Sequence, residues 1–160
     1  MRAAKSAACL GKRFYYMKFW HTGLLTGDIE QTLDFLCSTP ASDRSKWTMF
    51  DVEFPPDEMI TGDGGQLRVA VGRVGGVVYE LLQPLDDTSY HARQLKTRGA
   101  GFHHCAYYCE GDFDETVASL ISSGGHIVWE AKHGDELPCY IESCGTIFEI
   151  INLCPFMPEE

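Results

Sequence analysis

The sequence predicts an α+β fold made of two copies of one module, each running strand, helix and then two or three strands. Three repeated features predict it: an opening strand that begins with His, an amphipathic helix behind a Gly-Asp step, and a closing strand that carries one carboxylate. The first opening is Phe19-Trp20-His21-Thr22-Gly23-Leu24-Leu25-Thr26-Gly27-Asp28, and the second runs from Phe102-His103-His104 to Glu110-Gly111-Asp112. Both are apolar runs that stop at Gly-Asp.

In the first copy, Ile29, Leu33 and Leu36 follow at i, i+4 and i+7, the stripe of an amphipathic helix. Asp28 is placed to cap it, and Gln31, three residues on, is the capping-box partner. A strand from Leu67 to Val74 then turns at Gly75-Gly76 into Val78-Tyr79-Glu80-Leu81-Leu82. Residues 84–101 join the copies and contain a short helix from Tyr90 to Thr97. In the second copy, Asp112 caps a helix with Phe113, Val117, Leu120 and Ile121 on one face, and Glu115 takes the place of Gln31. A hairpin from Pro138 to Ser143 turns at Cys144-Gly145 into Ile147-Phe148-Glu149-Ile150-Ile151. The organisation is thus a basic leader over 1–17, modules over 18–83 and 102–154, the linker between them, and a tail over 155–160.

With 160 residues, 44% hydrophobic and 12% aromatic, the chain can bury about two-thirds of its unfolded surface in one domain. Thirteen Lys and Arg stand against 23 Asp and Glu, for a net charge of -10. That balance argues against a grip on nucleic acid or an anionic membrane. Residues 1–18 hold Arg2, Lys5, Lys12, Arg13 and Lys18 and no acid. They lack the apolar core of a signal peptide, and no stretch is long enough to span a bilayer, so the expected location is cytoplasmic. Seven cysteines (9, 37, 105, 109, 139, 144, 154) are scattered without a CxxC pair. This argues against a disulfide framework or a thiolate zinc site and for buried thiols.

A carboxylate inside a five-residue apolar strand is costly unless it is paired, neutralised or bound to a metal. Glu80 and Glu149 are both of this kind, and each shares its module with an opening His. The doubled pattern suggests one shared divalent cation, because imidazole and carboxylate donors suit Mn, Fe, Co, Ni or Zn.

At these residues the chain resembles the vicinal oxygen chelate superfamily, which includes glyoxalase I, extradiol dioxygenases, fosfomycin-resistance proteins and methylmalonyl-CoA epimerase. The segment from Pro84 to Tyr107 is especially similar to the epimerase linker. It has the same Pro-Leu step at Pro84-Leu85, a small polar turn over residues 86–89, a helix, and then Gly99-Ala100-Gly101-Phe102-His103-His104 in the place of Gly-x-Gly-[LF]-His-His. The resemblance covers about Lys18 to Leu153. It implies paired βαβββ modules whose eight strands curl around a metal cleft, with His21, Glu80, His104 and Glu149 as ligands, and a homodimer. The repeat register aligns His104, not His103, with His21; since strand neighbours face opposite sides, His103 is expected to hydrogen-bond or face a helix. His91 and His126 are expected to face solvent. Glu80 stands where the epimerases usually carry Gln, and Arg68 falls where they carry an extra catalytic Glu.

The chemistry this implies is removal and return of a proton alpha to a carbonyl, with Glu80 and Glu149 as the catalytic carboxylates on opposite faces. Substrate contacts are expected from three residues. Arg68 alternates with Leu67 and Val69 and points into the cleft if that apolar face packs on helices. Tyr108 shares the parity of His104 and is expected to line the cleft with Phe102. His133 lies in the loop AKHGDELP, which this fold hangs over the cleft. The substrate is a small carbonyl compound, either a methylmalonyl-CoA-type thioester or an aromatic ketone such as a dihydroisoflavone. Two alternatives stay open: isomerisation of a thiol adduct in the manner of glyoxalase I, and a metal-free module that sequesters a ligand.

Overall fold

A computed structural model describes residues 17–153 and Pro158. The predicted leader and tail lie outside the described residues, apart from Met17, which begins the first strand, and Pro158, whose carbonyl accepts from Arg73 Nε at 3.0 Å. The first module contains β1 (Met17–Leu25), α1 (Ile29–Leu36), β2 (Thr48–Phe54), β3 (Met59–Thr61), β4 (Gly65–Val74) and β5 (Val77–Pro84). The linker helix is α2 (Tyr90–Arg98), and the second module contains β6 (Gly101–Cys109), α3 (Phe113–Ser122), β7 (His126–Ala131), β8 (Cys139–Ser143) and β9 (Thr146–Ile151).

All the strands belong to one sheet in the order β2-β4-β5-β1-β6-β9-β8-β7-β3. The repeat is plain in it: β1 runs parallel to β5, β6 runs parallel to β9, and the modules meet where β1 and β6 pair antiparallel. The described residues hold nine strands where eight were expected. The addition is β3, which leaves its own module to pair with β7. It also explains the curl. β2 and β3 lie at opposite ends of the sheet, which would stand about 38 Å apart if nine strands at about 4.8 Å spacing lay flat. The chain from Phe54 to Met59 reaches only about 17 Å even when extended, so the sheet has to wrap into a half-barrel. Phe54 closes the wrap by packing edge-on against Trp129, with ring centroids 5.0 Å apart.

Helices α1 and α3 cover the outer face. Ile29 and Leu33 of α1 pack on Ala70 and Leu81, and Val117 of α3 packs on Cys109, Ile141 and Ile150. Both expected caps are present: Asp28 accepts from the Gln31 amide at 3.0 Å and Asp112 from the Glu115 amide at 2.9 Å. Asp112→Ala is expected to lower stability by about 1 kcal/mol, read as a lower urea midpoint. Alternation along β4 and β5 puts Leu67, Val69, Val71, Glu80 and Leu82 on the concave face, where they line a cavity. Of the described cysteines, Cys109 and Cys139 are buried, Cys37 and Cys105 are half-buried and Cys144 is exposed; none of these five is in a disulfide. The expectation of buried thiols therefore holds for only two of them.

Candidate metal centre

Four side chains converge at the floor of the cavity. His21 and Glu80 come from β1 and β5, His104 and Glu149 from β6 and β9, and one donor atom from each lies within 4.8 Å of all the others. The two imidazole Nε2 atoms are 3.1 Å apart. Glu80 Oε2 is 3.2 Å from His21 Nε2 and 3.5 Å from His104 Nε2, and Glu149 Oε2 is 3.4 and 3.2 Å from the same two atoms. Parallel pairing of each opening strand with its closing strand creates this meeting. Register sets Gly23 beside both Glu80 and His104, so residues some 80 positions apart share one spot.

The donor set fits a divalent metal. Adjacent ligands about 2.1 Å from one ion stand about 3.0 to 3.4 Å apart, close to the 3.1 to 3.5 Å that separate each imidazole Nε2 from its three neighbours. Glu149 Oε2 is buried and faces two ring nitrogens, yet has no hydrogen bond of acceptable geometry. Lone pairs aimed at a common centre produce that arrangement. The electrostatics also ask for a cation. Burial works against a charge on His21, but Glu80 and Glu149 outweigh it and hold the ring up at about 10. Burial likewise opposes ionisation of Glu149, and the neighbouring His104 and His21 still keep its carboxyl well below the usual range. A buried carboxylate beside a half-buried one needs positive charge, which either a proton or a metal ion provides.

Both opening strands carry a β-bulge immediately before the ligand. Phe19 pairs with Tyr107 and His21 with Ala106, leaving Trp20 over; Gly23 pairs with His104 and Leu24 with Phe102, leaving His103 over. A bulge sets two residues against one and suspends alternation. For this reason His103 does not face away from His104, as simple alternation predicts. It is buried, with Nδ1 2.8 Å from His104 Nδ1.

The remaining candidates are placed as follows. Arg68 is not brought to the cavity. Its apolar neighbours Leu67 and Val69 line the cavity, and Ala70, of the same parity as Arg68, packs under α1, so alternation turns Arg68 to the outer face. There Nε and Nη2 donate to the two Asp51 carboxylate oxygens at 2.8 and 3.0 Å. Tyr108 does share parity with His104, but it packs beside Trp20 and Ile151 without lining the cavity, and Phe102 is 57% exposed. His133 lines the cavity, packs at a tilt against Phe54 and holds Glu58 Oε2 at 2.7 Å through Nδ1. His126 is exposed as expected, but His91 is buried: Tyr140 Oη is 3.2 Å from its Nε2.

The cavity measures about 350 Å3. Glu80 and Glu149 face it, whereas His21 and His104 lie beneath, 1% and 0% exposed. Its walls include Trp20, Phe50, Phe54, Trp129 and Tyr140, with Glu136 at the loop, and no Lys or Arg is among the described residues that line it. Phe50, Phe54, Tyr140 and His91 are wall residues that the sequence pattern did not single out. Alternation along β2 and β8 was the available signal for the first three; nothing local marked His91.

Burial, followed by the nearby His104, lowers His91 to about 3. An unfolded His takes up its proton near 6.5, so between these values the unfolded state binds more protons. The contribution of His91 to stability is complete above about pH 6.5 and falls as the pH is lowered through that window, by about 2 to 3 kcal/mol at pH 4.5. His91→Gln, which cannot take up a proton, is expected to show a smaller drop in melting temperature between pH 7 and 4.5.

Paired modules curled around an interior His-Glu-His-Glu cluster define a class of protein with a site that can hold a metal. The chain belongs to the Glyoxalase/Bleomycin resistance protein/Dioxygenase superfamily, whose family model matches residues 20–141. Similar solved structures include a hypothetical protein of Bacillus halodurans C-125, with TM-score 0.63 and 20% identity over 88% of this chain and 97% of that one. Methylmalonyl-CoA epimerase from Mycobacterium tuberculosis is similar with TM-score 0.59 and 21% identity, over 86% of this chain and 88% of that one. A variant of the Streptomyces coelicolor epimerase, in complex with 2-nitronate-propionyl-CoA, gives TM-score 0.60 and 19% identity over 86% and 97%. No curated protein matches the sequence significantly. No helix among the described residues is long and apolar enough to cross a membrane.

Proposed function

We propose that this protein is a metal-dependent racemase or epimerase that removes and returns the proton alpha to a carbonyl, acting on a neutral aromatic ketone of the dihydroisoflavone type. The observation that carries the reaction class is the pair of carboxylates, Glu80 and Glu149, facing one cavity from strands related by the internal repeat. Racemisation needs a base on each face of the carbon, and two symmetry-related carboxylates meet that need. His21, His104, Glu80 and Glu149 would hold a divalent ion, which supplies positive charge where the carbonyl oxygen becomes negative. Glu149 takes the proton from one face and Glu80 returns one from the other. For each carboxylate it is Oε2 that meets the imidazoles, so the second oxygen serves proton transfer.

The walls support the choice of substrate. Aromatic side chains from both modules exclude water and stack on flat rings, and with no Lys or Arg among the described lining residues a substrate carboxylate or phosphate finds no permanently charged side chain to balance it. His133, beside Glu58, is the substrate contact proposed at the loop. Fold likeness to methylmalonyl-CoA epimerases keeps that thioester as a comparison substrate.

The test is incubation of the metal-loaded protein in heavy water with one enantiomer of a dihydroisoflavone, with methylmalonyl-CoA, and with a glutathione hemithioacetal. Deuterium at the alpha carbon together with loss of optical activity is expected for the ketone. Formation of a 2-hydroxyacyl thioester from the hemithioacetal, without exchange in the other two, would replace this reading with glyoxalase-type isomerisation.

A further inference from the structure

We propose that His103 is a positioning residue for the metal centre: through an Nδ1-to-Nδ1 hydrogen bond it holds the His104 ring in the tautomer that offers a bare Nε2 to a divalent cation. This rests on the reading of the four-residue cluster as a metal site. The geometry leaves few options. The two Nδ1 atoms are 2.8 Å apart and both rings are buried, 5% and 0% exposed. One proton lies between two nitrogens. A histidine that binds a metal through Nε2 carries its proton on Nδ1, so His104 donates and His103 accepts.

For His103 to accept at Nδ1 it has to be neutral, with its own proton on Nε2. Its surroundings are those of an uncharged ring. Tyr90 and Tyr140 pack edge-on against it at 6.2 and 5.4 Å, and His91 lies at 5.6 Å. Its Nε2 has no oxygen or nitrogen partner among the described residues. The ring sits among aromatic side chains, where an N–H makes at most weak contacts with π-electrons. Metal-bound histidines usually donate their second N–H to a carboxylate, carbonyl or water; here a neighbouring imidazole takes that place, and the β6 bulge brings it within reach.

The first module has no equivalent. Its bulge residue is Trp20, which packs edge-on against His21 at 4.4 Å, and His21 Nδ1 is buried without a hydrogen-bond partner. The site is thus symmetric in fold and asymmetric in chemistry. His104 is the pre-set ligand, while His21 is held by packing alone on its far side.

The test uses the full chain labelled with 15N-histidine. In metal-free wild type, His104 is expected to carry its proton on Nδ1 and to show a scalar coupling across the N–H···N bond to His103. Zinc titration is expected to give a 10- to 100-fold weaker Kd for His103→Leu, with most of the affinity recovered in His103→Asn, whose amide oxygen can accept the same proton. A His104 protonated on Nε2 in the wild type, or unchanged zinc affinity in His103→Leu, would overturn the proposal. If the Leu variant does not fold, the labelled wild type decides alone. Failure of the wild type to bind zinc, cobalt or manganese would remove the metal reading, whereas the tautomer and coupling stand or fall on His103 itself.

Discussion

Glu149→Gln is expected to keep its metal and lose on the order of 10²-fold or more in turnover, the usual scale for a general base. Gln preserves much of the volume and a neutral oxygen ligand, so the substitution separates holding the ion from moving the proton. Glu149 is the more buried of the two carboxylates, at 9% side-chain exposure against 17% for Glu80. It is also next to Tyr140 across the β8·β9 pair, inside the aromatic wall. The check is metal content by elemental analysis alongside the rate of alpha-proton exchange. Glu80→Gln decides the division of labour: an equally severe loss supports two bases, and a mild one means that Glu80 chiefly holds the ion. A metal-loaded, fully active Glu149→Gln would move the proton to another group facing the cavity, with His133 first in line.

The second large effect is expected at a residue with no side chain. A Cβ on Gly23 would lie 2.2 Å from His104 Cε1 and 2.5 Å from both of its ring nitrogens. The imidazole is stacked directly over the glycine, and being fully buried it has nowhere to swing. Gly23→Ala is therefore expected to push His104 out of the cluster and weaken metal binding by at least about 10²-fold, while overpacking lowers stability by about 1 to 3 kcal/mol. Circular dichroism should still report a folded protein. Gly27→Ala is the control, because there the nearest atom is the end of Leu95 at 3.9 Å; its metal content should match that of wild type. Normal metal binding by Gly23→Ala would show that His104 tolerates displacement and is not an essential ligand.

The repeated pattern of this sequence determines the duplicated α+β plan, both helix caps, the two hairpin turns and the linker helix. Each depends on neighbours a few positions away: Asp28 on the Gln31 amide, Gly75-Gly76 on the strands beside it, the Ile29-Leu33 stripe on a 3.6-residue period. The four-residue cluster was legible for a related reason, since duplication turns a long-range meeting into a local regularity seen twice. Tertiary structure decided what local rules leave open. Which face of β4 turns inward fixed the fate of Arg68, and alternation alone is equally consistent with either choice until the helices are placed. The bulge at His103 set its ring beside that of His104 as a hydrogen-bonding partner, because an extra residue in one strand is visible only against its partner. β3 joined the far edge and made the sheet curl, and His91, on a helix that reads as polar, was buried beside Tyr140 by contacts about 50 residues distant. Pairing partners, burial and the aim of a side chain are properties of the assembled sheet, and no window of sequence contains them.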